Sequence, residues 1–170
     1  MRKPKPESIV IVQDTREQMP LNLAQHGLIV EVDTLPYGDY TVKYPDLRDR
    51  LVIERKSLAD FAACCGRERD RFENELLALR GYALAYVVGE FGFRDIMGHH
   101  YRSLINPNSL MSSIAKWSGW GIHFLFCDNH EGASYVVAKL CTFLAEYEME
   151  LACTRCALSE AALERNLSGV

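Results

Sequence analysis

Three adjacent charged residues, Glu54, Arg55 and Lys56, directly follow the apolar pair Val52-Ile53 in the stretch LVIERKSLAD. Side chains alternate between the two faces of a strand, so Glu54 and Lys56 should point to one face and Arg55 to the other. A carboxylate and an ammonium group would then project side by side from the end of one strand. Burying charges costs free energy unless they are paired. These three residues are therefore candidates for catalysis.

Further carboxylates are predicted at neighbouring strand ends. Asp39 follows Gly38 at the start of the partner strand, and Asp14 and Glu17 lie in DTRE, where the first buried strand ends. Clustered carboxylates repel one another unless a cation lies between them, and an all-oxygen site suits Mg²⁺ or Mn²⁺ better than zinc. Such a cation could polarise a phosphodiester, while Lys56 positions or helps to deprotonate the attacking water. The residues thus predict a site of phosphodiester hydrolysis.

Strands and helices alternate along the chain, and these elements must position the site. Turn-forming residues in PDLRD join two strands, which predicts a hairpin that brings Asp39 beside Glu54. Interleaved elements of this kind predict an α/β fold, with a mixed sheet and helices on both faces. The predicted strands are 8–12, 28–35, 40–44, 50–55, 83–89 and 122–127, and the predicted helices are 57–66, 68–80, 108–118 and 132–151.

The composition limits the classes of protein that remain. A chain of 170 residues with 48% hydrophobic residues is the size of one domain with a proper core, and its net charge is −4. No global positive field therefore attracts a polyanion, so any such site must be local. The six cysteines lack the spacing of a disulfide scaffold, which indicates a reduced, cytoplasmic protein. No apolar run approaches the length of a membrane span, so no membrane partner is expected.

The motif GDY, followed 15 residues after its Asp by ERKSLAD, resembles the signature G-D-x(n)-E-R-K-x-x-x-D of the XPF/MUS structure-specific endonucleases. That family is a branch of the PD-(D/E)xK restriction-endonuclease-like superfamily. IVQDTRE, GRERDRFENEL and YALAYVVGE resemble the elements around this signature, and the resemblance covers about residues 8–147. It implies a restriction-endonuclease-like central mixed sheet flanked by helices on both faces, in a stand-alone form encoded by bacteria or their viruses. The expected organisation is a basic tail (1–7), a nuclease domain (8–151) and a C-terminal helical extension (152–170).

The resemblance also implies roles for individual residues. Asp39 and Glu54 would be the central metal ligands, and Lys56 would act on the attacking water. Arg55 would support the site or the scissile phosphate. Two further carboxylates would bind the same or a second Mg²⁺ or Mn²⁺: Asp14 and Glu17. Three arginines are candidates for phosphate contacts, which require no base reading: Arg16, Arg67 and Arg71.

The implied function is a metal-dependent DNA endonuclease that acts on branched or flap DNA in recombination or repair. Family members usually pair through helices at the end of this domain, so the apolar face of residues 133–151 would form a homodimer. The alternative is a non-catalytic DNA-binding subunit or regulator on the same fold. Such partner chains have typically lost acidic residues of the signature, whereas Asp14, Asp39, Glu54 and Lys56 are all present. Their presence favours an enzyme.

Several of these residues also have purely structural interpretations. Ser57 and Asp60 have the spacing of a capping box at a helix start. Glu54, Arg55 and Lys56 could be a solvated charge cluster on an edge strand. The arginines of GRERDRFENEL alternate with acidic residues and could form ion pairs on a helix surface. Cys153 and Cys156 form a single CxxC, which more often packs as two small side chains than binds zinc.

Overall fold

Six strands form one mixed sheet in the order β2-β1-β3-β4-β5-β6 in this computed structural model, which describes residues 9–167. The predicted basic tail of residues 1–7 lies outside the described residues. The strands are β1 (Val10–Asp14), β2 (Ile29–Asp33), β3 (Tyr40–Tyr44), β4 (Leu51–Lys56), β5 (Leu84–Gly89) and β6 (Ile122–Phe126). The helices are α1 (Leu58–Cys65), α2 (Arg69–Leu79), α3 (Phe93–Met97), α4 (Pro107–Ser118) and α5 (His130–Leu167), with a 3₁₀ turn at Ala24–His26.

The pairing of the strands is both parallel and antiparallel. β3 is antiparallel to β1 and to β4, whereas β1 pairs with β2, β4 with β5 and β5 with β6 in parallel. Tyr40 of β3 lies opposite Ile53 of β4, which confirms the predicted hairpin. The ends of β1 and β4 and the start of β3 therefore meet at one edge of the sheet.

Hydrophobic side chains of the strands pack on both faces of this sheet. Ile11, Leu51 and Ile53 pack with the residues of α5 on one face. Val52 packs with α1, α2 and α4 on the other face, around the fully buried Trp117. The alternation of Leu51, Val52 and Ile53 between two cores is the period of a strand buried on both sides. The predicted fold, a central mixed sheet with helices on both faces, is confirmed.

Helix α1 begins directly after β4 because Ser57 caps it. The Ser57 side chain accepts a hydrogen bond from the backbone N–H of Asp60 at 3.2 Å and donates one to Asp60 Oδ2 at 2.7 Å. This arrangement satisfies an otherwise unpaired N–H group of the first turn. The predicted interaction between Ser57 and Asp60 is confirmed, and it fixes where the chain turns after Lys56.

Two helices differ from the prediction. The short α3 was not predicted, and α5 runs without a break from His130 to Leu167, so the predicted helix of residues 132–151 and the helical extension predicted after it form one helix. Val136, Leu140 and Leu144 pack against the core, but Phe143, which lies within the predicted apolar segment 133–151, is 64% exposed. A single apolar face covers the sheet only up to Ala145, and from Glu146 to Arg155 no residue is buried.

None of the helices in the described part of the chain is long and apolar enough to cross a membrane. Within the same residues no disulfide forms: Cys64, Cys65, Cys127, Cys141 and Cys153 are all unpaired.

Gly38 positions Asp39, and we expect its replacement by alanine to destabilise the protein. Its φ is +72°, and a Cβ there would lie 2.4 Å from Cγ2 of the buried Val52 and 3.0 Å from the carbonyl oxygen of Ile53. Left-handed strain and overpacking together predict a loss of about 2–4 kcal/mol in the free energy of unfolding, measured by urea denaturation. The matched control is Gly121→Ala, where φ is +89° but the Cβ would meet nothing within 4 Å. Equal losses in the two variants would contradict the steric argument.

Candidate active site

Backbone hydrogen bonds bring three strand ends together at one edge of the sheet. The N–H of Asp14 donates to the carbonyl oxygen of Asp39 at 2.8 Å, and the N–H of Asp39 donates to that of Ile53 at 2.8 Å. The backbone N–H of Arg55 in turn donates to Asp39 Oδ2 at 2.7 Å. Asp39 is thereby held between the ends of β1 and β4, as the sequence predicted.

Asp39 and Glu54 line two adjoining cavities of about 440 and 500 Å³, here called the carboxylate groove. Arg16 and Arg71 line both cavities with them. Burial raises the pKa of Asp39 to about 6, although the N–H of Arg55 opposes the shift. Burial likewise raises the pKa of Glu54, which is 5% exposed, to about 8, against the influence of Lys56. Both carboxyl groups therefore bind protons unusually tightly when no cation is present.

Lys56 forms an ion pair with Glu54 on the same face of β4, which confirms the predicted alternation. Burial lowers the pKa of this ammonium group, but the carboxylate of Glu54 outweighs that effect and the net pKa is raised. The side chain also lies 5.1 Å from the centre of the Phe72 ring. In this arrangement Lys56 is a protonated hydrogen-bond donor, which suits it to orient a phosphate oxygen or a water molecule.

Arg55 lies on the opposite face of β4, in a nearly buried network of charges. Its guanidinium donates to both carboxylate oxygens of Glu17, at 2.8 and 2.9 Å, and lies 3.0 Å from Glu90 Oε1. His130 Nδ1 lies 2.6 Å from the same Glu90 oxygen. Burial raises the pKa of Glu17, but the hydrogen bonds from Arg55 and the N–H of Met19, together with the positive charge of Arg55, outweigh it and the pKa is lowered. Arg55 thus attaches the segment after β1 to β4.

Asp14 is 1% exposed, and its two oxygens are also held by an arginine. Oδ1 accepts from the backbone N–H and Nε of Arg16, and Oδ2 accepts from Arg16 at 3.1 Å and from the N–H of Leu35 at 2.6 Å. Burial raises the pKa of Asp14, but these hydrogen bonds outweigh it and the pKa is lowered. The four predicted carboxylates therefore form two groups. Asp39 and Glu54 line both cavities of the groove, whereas Asp14 and Glu17 line one cavity each, and their direct contact with a metal would require their arginines to move.

The donor set of the groove can be compared with what a divalent cation requires. Within residues 9–155, no three His, Cys, Asp or Glu side chains lie close enough together to enclose a metal ion. Mg²⁺, however, commonly binds through only one or two carboxylates and completes its coordination with water and substrate phosphates. Glu75 also lines the groove, and its Oε2 is buried without a hydrogen-bond partner, with Arg71 at 3.7 Å. Asp39 and Glu54 could hold a hard cation in this way, with water completing its coordination, and the unsatisfied oxygen of Glu75 belongs to the lining of the same groove.

Two acidic residues of this region, Glu75 and Glu90, were not identified from the sequence. Glu75 lies one helical turn after Arg71, in a segment whose charges were interpreted as surface ion pairs. Glu90 directly follows β5, and Gly89 at the end of that strand lies opposite Lys56. The carboxyl ends of parallel strands meet at one edge of a sheet. The position of Glu90 directly after β5 could therefore have predicted that it lies near the end of β4.

Arg67 and Arg71 both line the carboxylate groove, as their predicted phosphate contacts require. Each also forms an exposed ion pair with Glu68, at 3.4 Å for Arg67 and 2.6 Å for Arg71. The ion pairs that the structural interpretation predicted are therefore present, but exposed pairs of this kind contribute little to stability. Their contact with DNA stays a prediction.

The raised pKa values predict a pH-dependent stability for the metal-free protein. Asp39 (pKa about 6) and Glu54 (about 8) bind protons more tightly in the folded chain than in the unfolded one. The stability they contribute is complete below about pH 4 and is lost as the pH rises through both values. In EDTA, we expect the urea midpoint to fall between about pH 5 and pH 9, and Mg²⁺ to reverse much of that fall. A midpoint that rises with pH in EDTA would contradict the assignment.

The fold is that of an α/β domain with a mixed six-stranded sheet, and the cluster lies where the ends of three of its strands meet. A family model described as the ERCC4 domain matches residues 13–140. The chain therefore belongs to the ERCC4-domain family, which confirms the resemblance seen in its motifs.

Solved structures support the same conclusion at the level of the fold. XPF from Aeropyrum pernix matches with a TM-score of 0.64 and 23% sequence identity, over 79% of this chain and 60% of that chain. XPF from the same organism in complex with DNA matches with a TM-score of 0.63 and 22% identity, over 81% of this chain and 64% of that one. The chain thus spans less than two thirds of the length of either protein. A comparison with curated proteins finds no match.

Proposed function

We propose that this protein is a DNA endonuclease that hydrolyses phosphodiester bonds and depends on Mg²⁺ or Mn²⁺. The observation that carries the proposal is the buried pair of Asp39 and Glu54, next to the cationic Lys56, in an open groove that arginines also line. Buried carboxylates with raised pKa values are typical of functional sites rather than of surface charge clusters. Membership of the ERCC4-domain family points to the same chemistry.

Each residue of the groove has a part in the proposed reaction. Asp39 and Glu54 would hold the cation, with Glu75 as a further acceptor in the same groove. The bound cation would polarise the phosphodiester and lower the pKa of a water molecule. A cation bound to Glu54 would release Lys56 from its ion pair. Lys56 would then donate a hydrogen bond to a phosphate oxygen or orient the attacking water. Arg16 and Arg71, which line both parts of the groove, would contact the phosphates next to the scissile one.

We further propose that the substrate is branched or flap DNA formed in recombination or repair. A structure of XPF from Aeropyrum pernix is a complex with DNA, and this chain shares that fold. The net charge of −4 opposes long-range attraction to plain duplex. Local contacts beside the groove would therefore carry binding, because exposed charges beyond about 10 Å are screened at moderate salt.

The direct test is cleavage of a set of labelled DNAs: duplex, single strand, 3′ flap, replication fork and four-way junction. Each is incubated with Mg²⁺, with Mn²⁺ or with EDTA. Cleavage of at least one branched DNA that EDTA abolishes would support the proposal, and the preferred DNA would define the substrate. If every DNA stays intact while some are bound, the protein acts as a non-catalytic DNA-binding subunit and the proposal of an endonuclease is wrong.

We also propose that two copies of the chain associate through α5. Beyond Ala145 this helix has no buried residue up to Arg155, and Phe143 and Tyr147, at 64% and 49% exposure, stack with their rings 6.4 Å apart. A helix of 38 residues, about 57 Å long, needs tertiary packing along its length to be stable in water. Light scattering should give the mass of a dimer for the wild type and of a monomer for Phe143→Asp. A monomeric wild type would refute the proposal.

A further inference from the structure

A second cleft opens beside the carboxylate groove, between α1 and the loop of residues 98–106. Its volume is about 320 Å³, and it shares three lining residues with the groove: Ala59, Ala63 and Arg67. A molecule that occupies the groove can therefore extend into this cleft without leaving the surface. We call it the flank cleft; its remaining lining residues are Ala62, Tyr101, Arg102 and Ser103.

The loop that forms the outer wall of the flank cleft is held by its own contacts. The rings of His99 and Tyr101 stack with their centres 4.3 Å apart, and His99 Nε2 lies 2.8 Å from the carbonyl oxygen of Ser103. The Tyr101 hydroxyl donates to the carbonyl oxygen of Ile105 at 3.0 Å, and the side chains of both residues pack against the core under α1. Residues 102–104 are thus presented on an ordered support, which lowers the entropy cost of binding.

The chemistry of the flank cleft fits a polyanion. Arg67 and Arg102 line it and none of its lining residues is acidic, although the whole chain has a net charge of −4. The floor consists of alanine side chains, so a backbone of sugar and phosphate could approach α1 closely. Arg67 is 79% exposed in its ion pair with Glu68 and can turn towards a phosphate at little cost. Guanidinium groups are well suited to phosphate oxygens.

Leu104 directly follows Ser103, which lines the flank cleft, and is 99% exposed. A single exposed leucine on a protein surface needs no special explanation. This one, however, is held out by an ordered loop, next to a cationic cleft that continues into the groove. Proteins that distort DNA often insert such an apolar side chain between bases or against the end of a stack.

We infer that the flank cleft binds the DNA backbone beside the scissile phosphate, and that Leu104 packs against the last base pair at a junction between double-stranded and single-stranded DNA. Arg67 and Arg102 contact the phosphates. The cleft thereby recognises the branch and not the base sequence, since phosphate contacts carry no sequence information. The inference rests on the proposed function for the location of the scissile phosphate, but the binding itself requires no cleavage.

The test measures binding in EDTA by fluorescence anisotropy, with a labelled fork and a duplex of the same length, over a range of salt. Arg102→Gln should weaken binding to both DNAs about five- to tenfold and reduce the slope of log Kd against log salt by about 1. Leu104→Ser should weaken binding to the fork about fivefold and leave binding to the duplex unchanged. The control is Arg80→Gln, an exposed arginine after α2 that lines neither the groove nor the flank cleft.

Three results would overturn the inference: Arg102→Gln binding like the Arg80→Gln control, Leu104→Ser affecting fork and duplex alike, or no measurable DNA binding by the wild type. The test stays separate from that of the proposed endonuclease, because no cleavage occurs in EDTA. A wild type that cuts branched DNA, with no effect of either cleft variant on binding, would refute only the flank cleft. Binding that depends on Arg102 and Leu104, with no cleavage under any metal, would refute only the endonuclease.

Discussion

Replacement of Asp39 by asparagine will lower the rate of metal-dependent DNA cleavage at least about a thousandfold, and Glu54→Gln will do the same. A bound cation lowers the barrier to phosphodiester hydrolysis by several kcal/mol, and about 4 kcal/mol corresponds to a factor of a thousand. Each substitution removes one of the two carboxylates that line both parts of the groove. Single-turnover cleavage of the preferred branched DNA in Mg²⁺ measures the effect directly.

Asp33→Asn is the matched control, because Asp33 ends β2 at the same edge of the sheet but is exposed and lies outside the carboxylate groove. Its cleavage rate should remain within about twofold of the wild type, as expected for an exposed surface substitution. Binding in EDTA should be retained by Asp39→Asn, since the substitution removes negative charge from the proposed DNA-binding surface. A cleavage rate for Asp39→Asn above a tenth of the wild type would refute its role as a central ligand.

Arg55→Ala will lower the free energy of unfolding by about 3–5 kcal/mol, a large part of the total stability of a domain of this size. The Arg55 side chain is 11% exposed, and it joins Glu17, 3% exposed, to Glu90, 13% exposed. Its removal leaves two nearly buried carboxylates without their shared cation. Urea denaturation in EDTA separates this loss from any effect on metal binding. Arg55→Lys should be less destabilising than Arg55→Ala, because it keeps the charge and loses only the bidentate contact with Glu17.

Arg48→Ala provides the comparison for this prediction. Arg48 also pairs with a carboxylate, that of Asp46, but both side chains are more than half exposed. Water already solvates the two charges, so the free energy of unfolding should hardly change. If Arg55→Ala were no more destabilising than Arg48→Ala, the ion pairs of Arg55 would be as well solvated as a surface pair. Their burial would then contribute nothing to the free energy of unfolding.

The hairpin, and the face of β4 on which each charged side chain lies, could be predicted because both depend on local rules. Strand alternation alone placed Glu54 and Lys56 on one face and Arg55 on the other, and the structure has this arrangement. A turn-forming connection between two apolar runs set the pairing of β3 with β4, and therefore the position of Asp39. The capping of α1 by Ser57 could also be predicted, because it follows from the spacing of three residues between Ser57 and Asp60.

The arrangement of the remaining charges could not be predicted because it depends on distant segments. Asp14 and Glu17 were assigned alike from the motif DTRE, yet Arg16 folds back onto Asp14 while Arg55 reaches Glu17 from a strand 38 residues away. Glu75 enters the site only because α2 packs on the face of the sheet that carries Glu54. The continuity of α5 could not be predicted either. Its apolar face ends near Ala145, so hydrophobic periodicity does not show that the helix predicted for residues 132–151 and the helical extension predicted after it are one helix.

The most direct test of the central claim is the position of Mn²⁺ in crystals of the wild type, located by anomalous scattering. We predict a peak at bonding distance, about 2.1 Å, from a carboxylate oxygen of both Asp39 and Glu54. The peak should be absent in Asp39→Asn crystals that diffract equally well. A protein that cleaves DNA with Mn²⁺ but binds the ion at other side chains, or gives no peak in this groove at saturating Mn²⁺, would contradict the account.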